Sequence, residues 1–383
     1  MTIMLLVDLP QELIAAVASE IQDAKSLKQF ALTASAFLET CQRILFSSVK
    51  LIGFPFSKYQ ELHDLFMASP HIPGYITKFH LAFFLRVGFP DVQILRNILS
   101  RLLNVRTFTF EGAMGSSWVD VGAVAPAVVE FIQRPHVAQL HFVGLSGGVP
   151  LDVLQLLLCS VRSLSFSAVG VLRGDGNDTI TKVPPMPPIL QKLVMEQSDD
   201  ICGTIARPEF AASLANVRKF GRTMLRSYDN SFINMTAHNL EQILFVCYSP
   251  RDARILPLPP LEALHTINLR LRHYDSIEWL LASLSTISGS CPPNLEEISI
   301  AYPVSYDPST PFPSEAMGTM DRQLAVFPGV RRIVWLLDSP GSHGGDIEEY
   351  EMFLEVMKLG LPTLNAQGRL IVGCWRRGEW DLR

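Results

Sequence analysis

One short phrase returns so often in this chain that few folds can accommodate it. An apolar residue is followed by two others, then by an apolar residue, one other and a third apolar residue. It occurs at Ile76, Phe79 and Leu81, at Val105, Phe108 and Phe110, at Val137, Leu140 and Phe142, and at Val161, Leu164 and Phe166. It continues at Leu190, Leu193 and Met195, at Leu240, Ile243 and Phe245, and at Leu264, Ile267 and Leu269, then at Leu295, Ile298 and Ile300 and at Val330, Ile333 and Trp335. Val217 and Phe220 open a damaged copy that runs into Gly221. The last two apolar positions alternate with period two, as in a strand with one buried face.

Between copies lie helix-like stretches, Val92 to Leu103, Val124 to Ile132, Leu151 to Cys159, Phe210 to Leu214, Ile277 to Leu284 and Tyr350 to Leu359. Strand, turn and returning helix at intervals of roughly 23 to 35 residues overlap the period of leucine-rich repeats and exceed it. No single repeat of this kind buries its own apolar face, so copies must stack. The expected fold class is α/β, an irregular leucine-rich-repeat-like solenoid with a parallel sheet on its concave face and helices on its convex face. The polar stretch Arg173 to Lys182, the prolines from Pro184 to Pro188 and the segment Pro303 to Pro313 read as longer excursions.

Composition narrows the function classes. With 48% hydrophobic and only 18% charged residues, the 383-residue chain carries a large core and is no disordered coil. A net charge of −5 with no block of like charges argues against a nucleic-acid partner. Apolar runs such as Met4 to Val7 and Val153 to Leu158 are far shorter than the roughly 20 residues that cross a bilayer, so no membrane partner is expected. Met1 to Val7 also lacks the basic start of a signal peptide and reads as part of the folded domain. Six cysteines scattered without metal-ligand spacing fit a reduced cytoplasmic or nuclear protein.

The first 50 residues follow a different pattern. Asp8 to Val49 contains no glycine and reads as three short helices: one with Leu9, Leu13, Ile14, Val17 and Ile21 at helical spacing, capped by Asp8, one from Leu27 to Ala34 after the polar break Gln22 to Ser26, and one from Glu39 to Phe46. So small a unit needs something to dock against. Its residues Leu9-Pro10-Gln11-Glu12-Leu13-Ile14, then Leu27 to Phe37, then Leu45-Phe46-Ser47-Ser48-Val49, resemble an F-box, and with the repeats behind them the chain is similar to fungal F-box proteins with leucine-rich-repeat-like regions. Ala36 and Phe37 stand where that family usually has a basic residue and Trp.

The resemblance implies an F-box over residues 1–50 and a target-binding solenoid over residues 51–383. It implies a Skp-type adaptor and a cullin-RING ligase as partners, with the chain as their substrate-recognition subunit. Leu9 and Pro10 would anchor the adaptor, with Leu13, Ile14 and Val17 on the next turns and Leu32, Phe37, Leu45 and Phe46 supporting or completing the surface. The alternative is an interaction scaffold whose degenerate F-box-like helices serve only as the cap that a solenoid needs, with no role in ubiquitin transfer.

The residues between the apolar positions of the phrase are polar and change from copy to copy. Lys78, His80, Arg106, Thr109, His141, Lys192, His265, Asn268, Glu296 and Arg331 are therefore expected to face a protein target. Gly144-Leu145-Ser146-Gly147-Gly148 matches a nucleophile elbow, but Val149 and Pro150 intervene before the next helix, so a repeat turn is expected there. Arg173 to Asp178 looks like part of a calcium loop without its closing glutamate and reads as a solvated loop. No phosphate-binding loop or H-E-x-x-H motif occurs and no repeated carboxylate pairing suggests acid-base work, so no enzyme, cofactor or metal is expected.

Overall fold

The computed structural model describes residues 9–21, 23–52, 57–83, 91–113, 115–172, 189–223, 229–247, 258–271, 277–303, 314–338 and 347–375. The chain divides into two compact units, Met1–Pro185 and Met186–Arg383.

The first unit opens with three helices, α1 (Gln11–Glu20), α2 (Ala24–Thr33) and α3 (Ser35–Leu45). The residue expected to cap α1, Asp8, lies outside the described residues; instead the Pro10 carbonyl accepts the N–H groups of Leu13 and Ile14 at 3.0 and 3.1 Å. α2 begins inside the stretch read as a polar break, because the Asp23 side chain accepts the Ser26 N–H at 2.8 Å and caps it.

Five parallel strands follow, β1 (Ser48–Ile52), β2 (Lys78–Ala82), β3 (Thr107–Glu111), β4 (Gln139–Val143) and β5 (Ser163–Ser167), each paired with the next. The helices Ser57–Ala68, Val92–Arg101, Ala125–Ile132 and Leu151–Ser160 connect them. Each expected copy of the phrase supplies one strand, and the strand starts two residues after the first apolar position.

The register has no offset. Phe79 stands opposite Phe108, which stands opposite Leu140, which stands opposite Leu164. Leu81, Phe110, Phe142 and Phe166 form the next row, and all eight are buried. Ring centroids in that row are 5.6 Å apart for Phe110 and Phe142 and 6.1 Å for Phe142 and Phe166, within the range where aromatic pairs attract. β1 belongs to the same rows, with Val49 opposite Phe79 and Leu51 opposite Leu81. The third piece of the F-box-like pattern thus passes straight into the first strand, across residue 50.

The second unit holds seven parallel strands, β6 (Lys192–Glu196), β7 (Lys219–Thr223), β8 (Gln242–Cys247), β9 (Thr266–Leu271), β10 (Glu297–Pro303), β11 (Arg332–Asp338) and β12 (Leu370–Trp375), again paired in chain order. Its helices include Asp199–Ile205, Asp229–Thr236, Ile277–Gly289, Ser314–Ala325, Ile347–Gly360 and Pro362–Ala366. One row runs through Leu193, Phe220, Ile243, Ile267, Ile298, Ile333 and Leu370. The damaged copy forms β7 all the same, with Arg222 in the row of Met195, Phe245 and Leu269, where the other described strands place an apolar residue. β12 joins although Gln367 stands where the phrase begins with an apolar residue, because Leu370 and Val372 still pair with Ile333 and Trp335.

The opposite strand face differs between the units. His80, Thr109 and His141 form a half-buried polar row in the first. In the second, Leu244, Val246 and Ala301 are buried together with the polar Asn268, Arg270 and Ser299, so this face is more deeply buried than the polar row of the first.

Candidate functional site

The small helical unit completes its own core. Ile14 and Ala18 of α1, Leu27 and Ala31 of α2, and Phe37 and Cys41 of α3 are buried together, with Leu9 and Leu45 packed partly against them. Phe37 stacks on Phe30 with centroids 4.4 Å apart and planes 12° off parallel. Burial pushes the Cys41 thiol above its ordinary pKa, and the Gln11 amide donates to Thr40 Oγ1 at 2.5 Å across the α1–α3 contact. The unit is tied to the first repeat, since Thr77 Oγ1 donates to the Ser47 carbonyl at 3.1 Å and the Arg43 guanidinium lies over the Tyr75 ring at 5.3 Å.

The nine expected adaptor residues therefore separate by burial. Leu13 is 51% exposed, Val17 40% and Leu32 83%, and Pro10 is exposed as well. Ile14 and Phe37 are interior, while Leu9, Leu45 and Phe46 are half-buried. Pro10, Leu13 and Val17 recur at helical spacing and share one side of α1. That side carries apolar groups that the unit itself does not cover.

A second feature lies in the second unit, at the N-terminal ends of β8 to β11. A half-open cleft of about 660 Å³ is lined by Gln242, Glu262, Ala263, His265, Thr266, Asn294, Glu296, Glu297 and Arg332. Its size is in the range of ligand sites, but its walls are polar where such sites are usually apolar. The register explains the grouping: Gln242 stands opposite Thr266, Thr266 opposite Glu297, and Glu297 opposite Arg332. At the rim Arg332 Nη2 lies 2.9 Å from Glu297 Oε2, so that carboxylate is neutralised locally. Asn294 Nδ2 donates to the Glu262 carbonyl at 2.7 Å and fixes one wall.

Of the ten expected target-facing residues, the cleft brings together His265 and Glu296, both exposed, and Arg331 is exposed beside the rim residue Arg332. Asn268 is only 8% exposed, with Nδ2 donating to the Ile243 carbonyl at 3.4 Å. Lys78 and Arg106 are exposed and Lys192 is half-buried, away from that lining. His80 Nε2 lies 2.6 Å from Glu111 Oε2, whose same oxygen is 3.3 Å from Lys50 Nζ. Burial and the Lys50 charge hold the His80 pKa below its ordinary value despite Glu111.

Gln242, Thr266, Glu297 and Arg332 were not singled out from the sequence. All four occupy the third position of the phrase in successive copies. Aligning the copies as columns would have collected them as one row.

Ser146 accepts the Gly115 N–H on Oγ at 2.9 Å, and the next helix starts only at Leu151, as a repeat turn requires. Gly144 has φ +76°, and a Cβ there would sit 2.3 Å from the Gly112 carbonyl oxygen, so its glycine serves the turn. The calcium-like stretch Arg173 to Asp178 and the segment Met1 to Val7 lie outside the described residues, as do Pro184 to Pro188 and most of Pro303 to Pro313. Among the described residues no group of three or more His, Cys, Asp or Glu could hold a metal ion, and no helix is long and apolar enough to cross a membrane. No family model matches the chain, and no curated protein matches it in sequence.

Proposed function

We propose that the chain is a substrate-recognition subunit of a cullin-RING ubiquitin ligase, in which the helices over residues 9–46 bind a Skp-type adaptor and the repeats present a protein target on a concave strand face. The observation that carries this reading is the uncovered row Pro10, Leu13 and Val17 on α1, outside a core already closed by Ile14, Phe37 and Cys41. Apolar groups left on one side of a satisfied small domain mark a contact with a partner. The F-box-like order of the same residues names which partner. The chain would act by proximity, raising the local concentration of its target near a charged conjugating enzyme.

Co-purification with a Skp-type adaptor tests it. The wild-type chain retains the adaptor, and a Leu13→Asp, Val17→Asp double variant, altered only at exposed positions, loses it while staying folded. An adaptor that fails to bind the wild-type chain overturns the ligase reading.

A second reading rests on Phe37. It replaces the family's Trp and is interior, stacked on Phe30, so it contributes nothing to an outer surface. This favours a repeat scaffold whose three helices only cap the stack, and the same experiment separates the two.

A further inference from the structure

The cleft at the start of β8 to β11 has a chemistry of its own. Gln242 lines it at 6% exposure, the only buried residue in the lining, and its side-chain amide makes no hydrogen bond among the described residues. That amide is left open to a ligand in the cleft. Glu262 and Glu296 are exposed and have no ion-pair partner among the described residues, whereas the one guanidinium in the lining, on Arg332, is engaged by Glu297. Three carboxylates face one cation, so an anionic ligand is repelled and a cationic one attracted.

We propose that this cleft takes an arginine side chain from a segment of the target protein. A guanidinium carries five N–H donors spread in one plane and no acceptor, whereas an ammonium concentrates its charge at a point. The lining offers acceptors spread in space: the Glu262 and Glu296 carboxylates, the Gln242 amide oxygen and the Thr266 hydroxyl. Gln242, Thr266 and Glu297 sit on three adjacent strands, so this row spans about 10 Å, enough to seat a planar group with its stem entering from the open side. The inference names the target's chemistry and rests on the recognition role proposed above, but it can be tested without the adaptor.

The probe is a labelled seven-residue alanine peptide with one central arginine, titrated against the full chain by fluorescence anisotropy to millimolar concentration. The control peptides carry citrulline, which keeps the shape and loses the charge, or lysine. The arginine peptide is expected to bind at least about tenfold more tightly than the citrulline peptide, and more tightly than the lysine peptide. Glu262→Gln with Glu296→Gln is expected to abolish the difference at an unchanged unfolding midpoint, since both side chains are exposed. Gln242→Leu, of similar size, should weaken the arginine peptide several-fold with little loss of stability.

Equal binding of the arginine and citrulline peptides, no binding of either, or undiminished discrimination in the double glutamine variant overturns the proposal. Tighter binding of the lysine peptide overturns the guanidinium assignment. Adaptor co-purification on the same preparations separates the two readings. Discrimination without adaptor binding leaves a cationic-segment site on a scaffold, and adaptor binding without discrimination leaves a ligase subunit whose target binds elsewhere.

Discussion

Arg222 Nη2 lies 2.9 Å from Asp199 Oδ1, with the arginine side chain fully buried and the aspartate about one third exposed. The pair ties β7 to the first turn of the helix Asp199–Ile205, at the row position where neighbouring strands place Met195 and Phe245. A guanidinium in an apolar row is held by its counter-charge, and losing that charge costs more than losing both partners together. Asp199→Ala is therefore expected to destabilise the second unit by about 2 kcal/mol, discounted for the exposed end of Asp199, while Arg222→Met is expected to be near neutral. Urea unfolding of both variants checks this, and a larger loss for Arg222→Met would contradict it.

The turn after each strand gives a second expectation. Gly144 follows β4 with φ +76°, and Ala168 holds the corresponding place after β5 with φ +54°. A left-handed alanine costs roughly 1 kcal/mol that glycine avoids. Ala168→Gly should thus be neutral or slightly stabilising. Gly144→Ala, which drives a Cβ to 2.3 Å from the Gly112 carbonyl oxygen, should lower thermal stability markedly. Differential scanning calorimetry distinguishes the two directions.

In the N-terminal helices, stability and binding should separate by face. Ile14→Ala and Phe37→Ala open cavities in a closed core and are expected to cost about 2 to 5 kcal/mol. Leu13→Ala and Val17→Ala remove exposed groups and should change stability by less than about 0.5 kcal/mol while weakening adaptor retention. Parallel thermal melts and adaptor co-purification test the contrast.

The first unit should lose stability on mild acidification. His80 and His136 both have folded-state pKa values below the ordinary 6.5, chiefly because burial disfavours the imidazolium. The unfolded chain then takes up protons first, so this contribution is complete above pH 6.5 and is lost as the pH falls from there through the lowered folded values. His80→Asn with His136→Asn should flatten that part of the stability profile, read as unfolding midpoints at stepped pH.

Much of the fold was legible because its rows are written in the sequence. Phe110, Phe142 and Phe166 recur in phase, and a zero-offset parallel register carries that phase directly into space. β7 was half-hidden because Arg222 occupies an apolar row, and β1 because Val49 belongs to the segment with the F-box-like pattern and Leu51 lies just beyond it. The helix Ser57–Ala68 went unread since only Tyr59 and Phe66 bury fully, too sparse a stripe to count. The cleft was invisible for another reason. Its lining comes from four strands and the loops before them, and position along the chain says nothing of which polar residues meet across strands unless the copies are aligned.

The zero-offset register also bears on how such a chain can change over generations. Each strand adds one residue to the central rows of its unit, so duplicating or deleting one strand with its connecting segment lengthens or shortens those rows without moving a neighbour out of phase. The rows therefore behave like lines of type in which whole characters can be inserted. Unequal recombination between repeats would yield a folded product more often than in a protein whose strands interlock by staggered pairing, and new surfaces could arise by copying rather than by point substitution.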